Sequence, residues 1–321
     1  MPTHIESSWI NPSTILFATE SPTNEKAFAF ALAVALELDA KLVILHVYDT
    51  LAVAASEFSG VRYYDYAAAA HTEEQMLRPL AERAEKVGVQ CELVVRPGLA
   101  APQILSYALD HPVDRIIMGT RAPGRLGKLF VGSVAEEVVR GAHVPVLTIG
   151  PEAIENTLHR FSIRRILTAV SLHSHSSCVI AELATLLAAH HGAQLTLLHV
   201  TPSRKETSRG CGLTLENLEA ELRVMVPPEL QQSIRVESIT SVGDPAAEIL
   251  YQSNLRQIDL LVFGAQEASP ISTLTRQGVV NKVLAQALCP VMTLTAQVPA
   301  PLQSTREDEH ADSDAYLAGI F

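Results

Sequence analysis

The sequence predicts two tandem copies of one α/β domain, each a doubly wound parallel sheet. Three observations predict it. Four short motifs recur in the same order, the strand-like runs are nearly continuous in apolar residues, and the stretches between them carry apolar residues at helical spacing. The 321 residues suit two domains of roughly 150 residues each.

The repeats come first. Residues 15–19 (Ile-Leu-Phe-Ala-Thr) recur at 166–170, and 42–47 (Leu-Val-Ile-Leu-His-Val) recur at 195–200. Residues 114–119 (Asp-Arg-Ile-Ile-Met-Gly) recur at 259–264, and 145–149 (Pro-Val-Leu-Thr-Ile) recur at 290–294. The offsets are 151, 153, 145 and 145 residues, close to constant. Strands are expected near 14–19, 42–48, 90–95, 114–119 and 144–149, then near 165–170, 195–200, 234–240, 259–264 and 290–295. Their β-branched, nearly continuous apolar runs suit strands covered on both faces.

Between strands the period changes. Ala27, Phe28, Ala31, Leu32, Ala35 and Leu36 form a helical stripe, which Ser21-Pro22 can start. Further helices are expected over 73–87, where Pro79 should kink or interrupt, and over 101–109 and 133–140, the last closed by Gly141. In the second copy they fall at 177–189, 215–225, 246–252 and 279–288. Strands joined by such crossovers are parallel neighbours. Domain 1 is assigned to 1–150 and domain 2 to 163–296, with a linker near 150–162. Residues 297–321 read as a loose acidic tail, and 49–70, with Tyr63, Tyr64 and Tyr66, as a long connection that covers either core or a site.

Composition narrows the function. A net charge of -11 without a basic run argues against nucleic acid as a partner. Hydrophobic residues at 48% against 18% charged favour filled cores over disorder. Cys91, Cys178, Cys211 and Cys289 form neither a CxxC pair nor a zinc-spaced set, and read as isolated thiols of a cytoplasmic protein. The first 11 residues lack a secretory pattern, and no apolar run reaches the roughly 20 residues that span a bilayer, so no membrane partner is expected.

Ligands of doubly wound sheets sit beyond the carboxyl ends of the strands. After the fourth strand of copy one, Gly119, Gly124, Gly127 and Gly132 keep side chains off the backbone, and Arg121, Arg125 and Lys128 add positive charge. Free amides there and at the helix start, with the Ser133 hydroxyl, can hold phosphate oxygens; the competing reading is a flexible loop capped by Ser133. The Walker pattern, GxGxxG and GxSxG are absent. The counterpart in copy two, 264–279, keeps only Gly264 and Gly278 and carries Glu267, which repels a polyphosphate.

Both copies resemble universal stress protein domains, in the tandem form where one chain holds two. The resemblance covers about 13–150 and 164–296. It rests on the opening Ile-Leu-x-Ala strand, Leu-His-Val at 45–47 and 198–200, and Gly-Asp-Pro-Ala-Ala-Glu-Ile at 243–249. The Gly-rich loop into Gly132-Ser133-Val134-Ala135-Glu136 and the terminal Pro-Val-x-Thr strand complete it. It implies strand order 3-2-1-4-5 and domains paired through their last strands. ATP-binding members carry Asp after the first strand and Gly-x2-Gly-x9-Gly-Ser/Thr. Here those positions are Glu20, Gly119, Ala122 and Gly132-Ser133, so two residues depart. The resemblance implies a binding set of Ala18, Thr19, Glu20, Val47, Met118, Gly119, Ala122, Gly132, Ser133 and Val134, with Val47 at the adenine and Met118 beside it. The ligand implied is ATP or another adenine nucleotide in domain 1 only, Mg2+ being left open. Copy two places Ser171, Glu267 and Val279 at the acidic, second-glycine and hydroxyl positions, so its site is expected to be lost.

Other chemistry is thinner. His173 and His175 fall at the ligand end of copy two without further metal ligands, and His46 and His199 repeat at matching places that suggest a structural hydrogen bond. No catalytic residue is assigned. Two classes remain: a stress-response or signalling protein that binds a nucleotide in domain 1, and a nucleotide-free module that binds protein partners.

Overall fold

The computed structural model describes residues 5–20, 25–48, 66–120, 131–150, 152–153, 162–172, 174–201, 215–265 and 273–295. The strands expected in domain 1 form β1 (Thr14–Thr19), β2 (Lys41–Tyr48), β3 (Cys91–Pro97), β4 (Arg115–Gly119) and β5 (Val146–Ile149). Domain 2 supplies β6 (Arg165–Ala169), β7 (Gln194–Thr201), β8 (Val236–Val242), β9 (Leu260–Ala265) and β10 (Val291–Thr295). They make one ten-stranded sheet of order β3-β2-β1-β4-β5-β10-β9-β6-β7-β8. Each half is parallel with order 3-2-1-4-5, and the halves meet in an antiparallel β5–β10 pair.

The helices are α1 (Ser7–Ile10), α2 (Glu25–Glu37), α3 (Tyr66–Lys86), α4 (Ala100–Asp110), α5 (Ser133–Gly141), α6 (His175–His191), α7 (Leu215–Val224), α8 (Pro245–Leu255) and α9 (Thr273–Gln286). Three depart from the sequence expectation. α1 was not foreseen. α3 begins at Tyr66, inside the stretch read as a long connection, and runs through Pro79 without ending. Proline removes one intrahelical bond there, but Leu77 and Leu80 on either side are both buried, and Ala84 one turn further on. Packing on both sides of the proline holds the helix together. α9 begins at Thr273, so Gly278 lies within a helix and does not end a loop. α8 begins at Pro245, just before the expected 246: Asp244 caps it, its Oδ1 accepting from the Ala247 amide at 3.0 Å, with Pro245 in the first turn. The acidic tail, the linker at 154–161 and the connection at 49–65 lie outside the described residues.

Strand alternation sorts side chains into two layers. Ile15, Phe17, Leu42, Ile44, Ile117 and Leu147 join α2 and α3 of domain 1, and the same apolar layer continues through Met292, Val262 and Leu195 to α6 and α7 of domain 2. On the opposite face Leu16, Ala18, Val43, Leu45, Ile116 and Met118 meet α4 and α5, continuing to α8 and α9. The two domains therefore share both core layers.

The β5–β10 junction explains the threonine of the repeated terminal motif. Thr148 donates its hydroxyl to the Val291 carbonyl at 3.1 Å, and Thr293 donates to that of Val146 at 3.3 Å, both buried. Thr295 reaches further, to the Val139 carbonyl at 3.2 Å near the end of α5. Valine keeps the shape and strand preference of threonine but loses the donor. Thr148→Val and Thr293→Val are each expected to lower stability by ~1 kcal/mol in urea unfolding. A change near zero in both would show that these hydroxyls do not tie the domains.

Both domains open their first strand with the same lock. Asp114 Oδ2 accepts from the amides of Ser13 and Thr14 at 2.9 Å each and from the Ser13 hydroxyl at 2.8 Å. Asp259 Oδ2 accepts from the amides of Arg164 and Arg165 at 2.9 and 2.8 Å.

Candidate functional site

Three elements of domain 1 converge at the carboxyl edge of the sheet: the end of β1, the end of β4 and the start of α5. Ala18 registers with Met118 on β4 and with Leu45 on β2, and Gly119 registers with Ile149. Ala18, Met118 and, in part, Val47 and Val134 face the same apolar layer beneath α4 and α5. Val47 and Met118 do not lie side by side: β1 separates their strands by two spacings, and Met118 is level with Leu45, two residues before Val47. Glu20 is exposed just past β1. Ala122, Arg121, Arg125 and Lys128 lie outside the described residues.

The chain leaves β1 under control of a histidine. His46, buried and registered with Thr19, donates from Nδ1 to the Thr19 carbonyl at 2.9 Å. Since a carbonyl only accepts, the proton sits on Nδ1. Nε2 faces Glu73 Oε2 at 3.4 Å. The clip recurs in domain 2, where His199 Nδ1 meets the Val170 carbonyl at 3.0 Å. The repeated Leu-His-Val motif is thus structural at its imidazole: it fixes the last turn-off of strand one, where the candidate ligand position begins.

Thr120 is a residue that sequence reasoning passed over. It is buried; its amide donates to the Ile149 carbonyl at 3.2 Å and its carbonyl accepts from Gly132 at 2.9 Å. The Gly132 amide is therefore turned inward. The first helical bond of α5 runs from the Glu136 amide to the Gly132 carbonyl at 3.0 Å. The amides of Ser133, Val134 and Ala135 consequently have no acceptor within the helix, and they point out of its N-terminus. That is an arrangement suited to an anion.

Gly132 is the N-cap of α5, where glycine is one of several favoured residues, but among the described residues neither strain nor crowding requires it. Its φ of -61° and ψ of 143° are open to any residue. A Cβ there would meet only the Thr120 carbonyl oxygen, at an ordinary 3.7 Å. A glycine that neither backbone conformation nor packing demands leaves close approach by something else as its use.

The corresponding place in domain 2 is built differently. α9 is already helical for more than a turn before Gly278 and Val279, so their amides fall at interior positions that bond to carbonyls four residues back. After β6, the Ser171 amide donates to the Ser177 hydroxyl at 2.9 Å, folding the loop onto its own helix. His173 and Glu267 lie outside the described residues, and among the described residues no group of three His, Cys, Asp or Glu side chains could hold a metal. Cys91 and Cys289 are free thiols, pushed up to about 11 and about 12 by burial, and Cys178 is free and exposed.

The family model of the universal stress protein family matches residues 12–150 and again 162–294. The chain belongs to the universal stress protein family. Within the family, a Thermus aquaticus universal stress protein is 34% identical over 146 residues, covering 42% of this chain and 97% of its own length. An Archaeoglobus fulgidus universal stress protein of known structure is 19% identical, spans 91% of this chain and 99% of its own, and superposes with a TM-score of 0.67. That likeness shows the tandem fold. A family protein from Arabidopsis thaliana, solved with AMP bound, is 20% identical over 43% of this chain, with a TM-score of 0.31. Among the described residues no helix of this family member is long and apolar enough to cross a membrane.

Proposed function

We propose that this universal stress protein binds an adenine nucleotide, ATP or AMP, in domain 1 and uses domain 2 as a paired scaffold. The set proposed to hold it is Ala18, Thr19, Glu20, Val47, Met118, Gly119, Ala122, Gly132, Ser133 and Val134. Gly132 carries the reading. Among the described residues it is a glycine without a conformational or packing need, set directly before three outward amides at the start of α5. Phosphate oxygens suit those amides, and the Ser133 hydroxyl adds a donor. Family membership supports the same placement. The interior position of Gly278 in α9 supports the restriction to domain 1.

Calorimetric titration with ATP, ADP and AMP, each with and without Mg2+, tests the reading. One nucleotide per chain is expected to bind with Kd below about 1 mM, equivalent to roughly −4 kcal/mol. Gly132→Val is expected to weaken binding at least ~10-fold, about 1.4 kcal/mol, while the melting temperature stays close to that of the parent. If no nucleotide binds below about 1 mM, the second reading stands: a nucleotide-free interaction module. The inward bond from the Gly132 amide to Thr120 favours that one, since it removes a donor from the anion position.

A further inference from the structure

His46 holds the ligand edge of domain 1 from behind the sheet. Strand alternation sets Val47 toward the α4 and α5 layer that also receives Ala18 and Met118. His46, one residue earlier, faces the opposite side, and there its Nε2 meets Glu73 Oε2 of α3 at 3.4 Å. A ligand over the Ala18 and Val47 side chains would therefore lie on the other face from this imidazole. What the ring holds is backbone. Its Nδ1 donates to the Thr19 carbonyl at 2.9 Å, and Thr19 is its registered neighbour on β1. The bonded residue, Thr19, and the next residue of the chain, Val47, both belong to the set proposed for the nucleotide.

The clip has two arms in domain 1 and one in domain 2. His199 meets the Val170 carbonyl at 3.0 Å through the same Nδ1. Among the described residues no carboxylate pairs with its Nε2, and its ring is half-buried where that of His46 is buried. A histidine alone is thus enough to end the first strand of a domain. The carboxylate is an addition, and it occurs in the domain whose helix α5 starts with outward amides. A partner on the second ring nitrogen fixes the rotation of the ring, and with it the direction of the Nδ1–H.

We propose that His46 and Glu73 are positioning residues for the domain 1 nucleotide site. Glu73 fixes the imidazole, the imidazole fixes the Thr19 carbonyl, and the exits of β1 and β2 are held at the spacing that the nucleotide requires. The inference rests on the nucleotide reading above. Neither side chain touches the ligand. They raise affinity because the turn after β1 is already in place when the nucleotide arrives.

Calorimetric titration of the full chain with ATP and AMP, paired with melting temperatures, compares the parent with His46→Val, His46→Asn, Glu73→Ala and the matched control His199→Val. Valine keeps the strand preference and removes the donor. The asparagine amide N–H takes the place of Nδ1–H and keeps the carbonyl bond, but it has no second arm. His46→Val is expected to bind about 10-fold more weakly, and His46→Asn and Glu73→Ala about 3-fold more weakly than the parent. His199→Val is expected to melt lower yet bind as the parent does. A role in folding alone would lower melting temperatures in both domains and leave Kd unchanged. The inference is overturned if His46→Val binds as the parent does, or if His46→Asn is as weak as His46→Val. If His46→Val does not fold, parent-like binding by Glu73→Ala, at a partly exposed site, overturns it equally. A parent that binds neither nucleotide below about 1 mM overturns the nucleotide reading and this inference with it. A parent that binds, with variants that bind equally well, overturns this inference alone.

Discussion

Phe17→Ala is expected to destabilise the chain by ~4 kcal/mol, the range set by emptying a fully buried aromatic site. Phe17 has no exposed surface and registers with Ile44 on β2 and Ile117 on β4. Its ring meets Phe28 of α2, with centroids 6.0 Å apart and planes tilted by 57°. Phe28 in turn lies under the Arg83 guanidinium of α3, 5.2 Å from its centroid. One ring therefore links the central strand to both helices of its face, and neither helix can collapse into the space without leaving the other. The layer runs unbroken into domain 2. The loss is accordingly expected to lower the urea midpoint of a single transition that both domains share. Ile117→Val, one methylene smaller in the same layer, should lose only ~1 kcal/mol. A loss below ~2 kcal/mol for Phe17→Ala would mean that the layer repacks.

That layer is also why so much of the architecture was legible. A strand buried on both faces has to be apolar at nearly every position, so the inner strands announced themselves as nearly continuous runs; the half-buried edge strands β3 and β8 carry polar residues such as Glu92, Glu237 and Ser238, and all ten end within about two residues of the expected bounds. Where a local signal competes with packing, the reading failed. Pro79 is a strong breaker in isolation, yet Leu77 and Leu80 hold the helix on both sides. α1 is four residues long and has no period to detect; it exists because Trp9 and Ile10 find an apolar surface made by residues far along the chain.

The candidate site divides in the same way. The start of α5 at Ser133 after Gly132 could be read from spacing, because a helix N-terminus is a local backbone feature. Thr120 could not, since its role depends on meeting Ile149 and Gly132 across three elements. Thr148 and Thr293 were visible as a motif, but their purpose depends on the antiparallel register of strands more than a hundred residues apart. Arg115 stood in the sequence only as part of the repeated 114–119 motif. Only the fold shows that it is enclosed in the protein, with the Trp9 carbonyl of the N-terminal helix as its hydrogen-bond partner.

The Asp114 lock measures what that enclosure does. Asp114→Ala is expected to lower stability by ~3 kcal/mol, because it removes three charge-assisted bonds and leaves the amides of Ser13 and Thr14 unpartnered. It also removes a negative charge that offsets the buried Arg115. Asp259→Ala removes two such bonds and a looser contact to Arg165 Nε at 3.8 Å. The residue after it is Leu260, so no buried cation is stranded, and the expected loss is ~2 kcal/mol. The difference therefore holds the arginine together with the Ser13 hydroxyl bond, and a second background separates them. In an Arg115→Met background, with the stem kept and the charge removed, Asp114→Ala should fall to about the Asp259→Ala value in urea unfolding. If it stays at ~3 kcal/mol, the Ser13 hydroxyl accounts for the excess and the charge of Arg115 is balanced without Asp114.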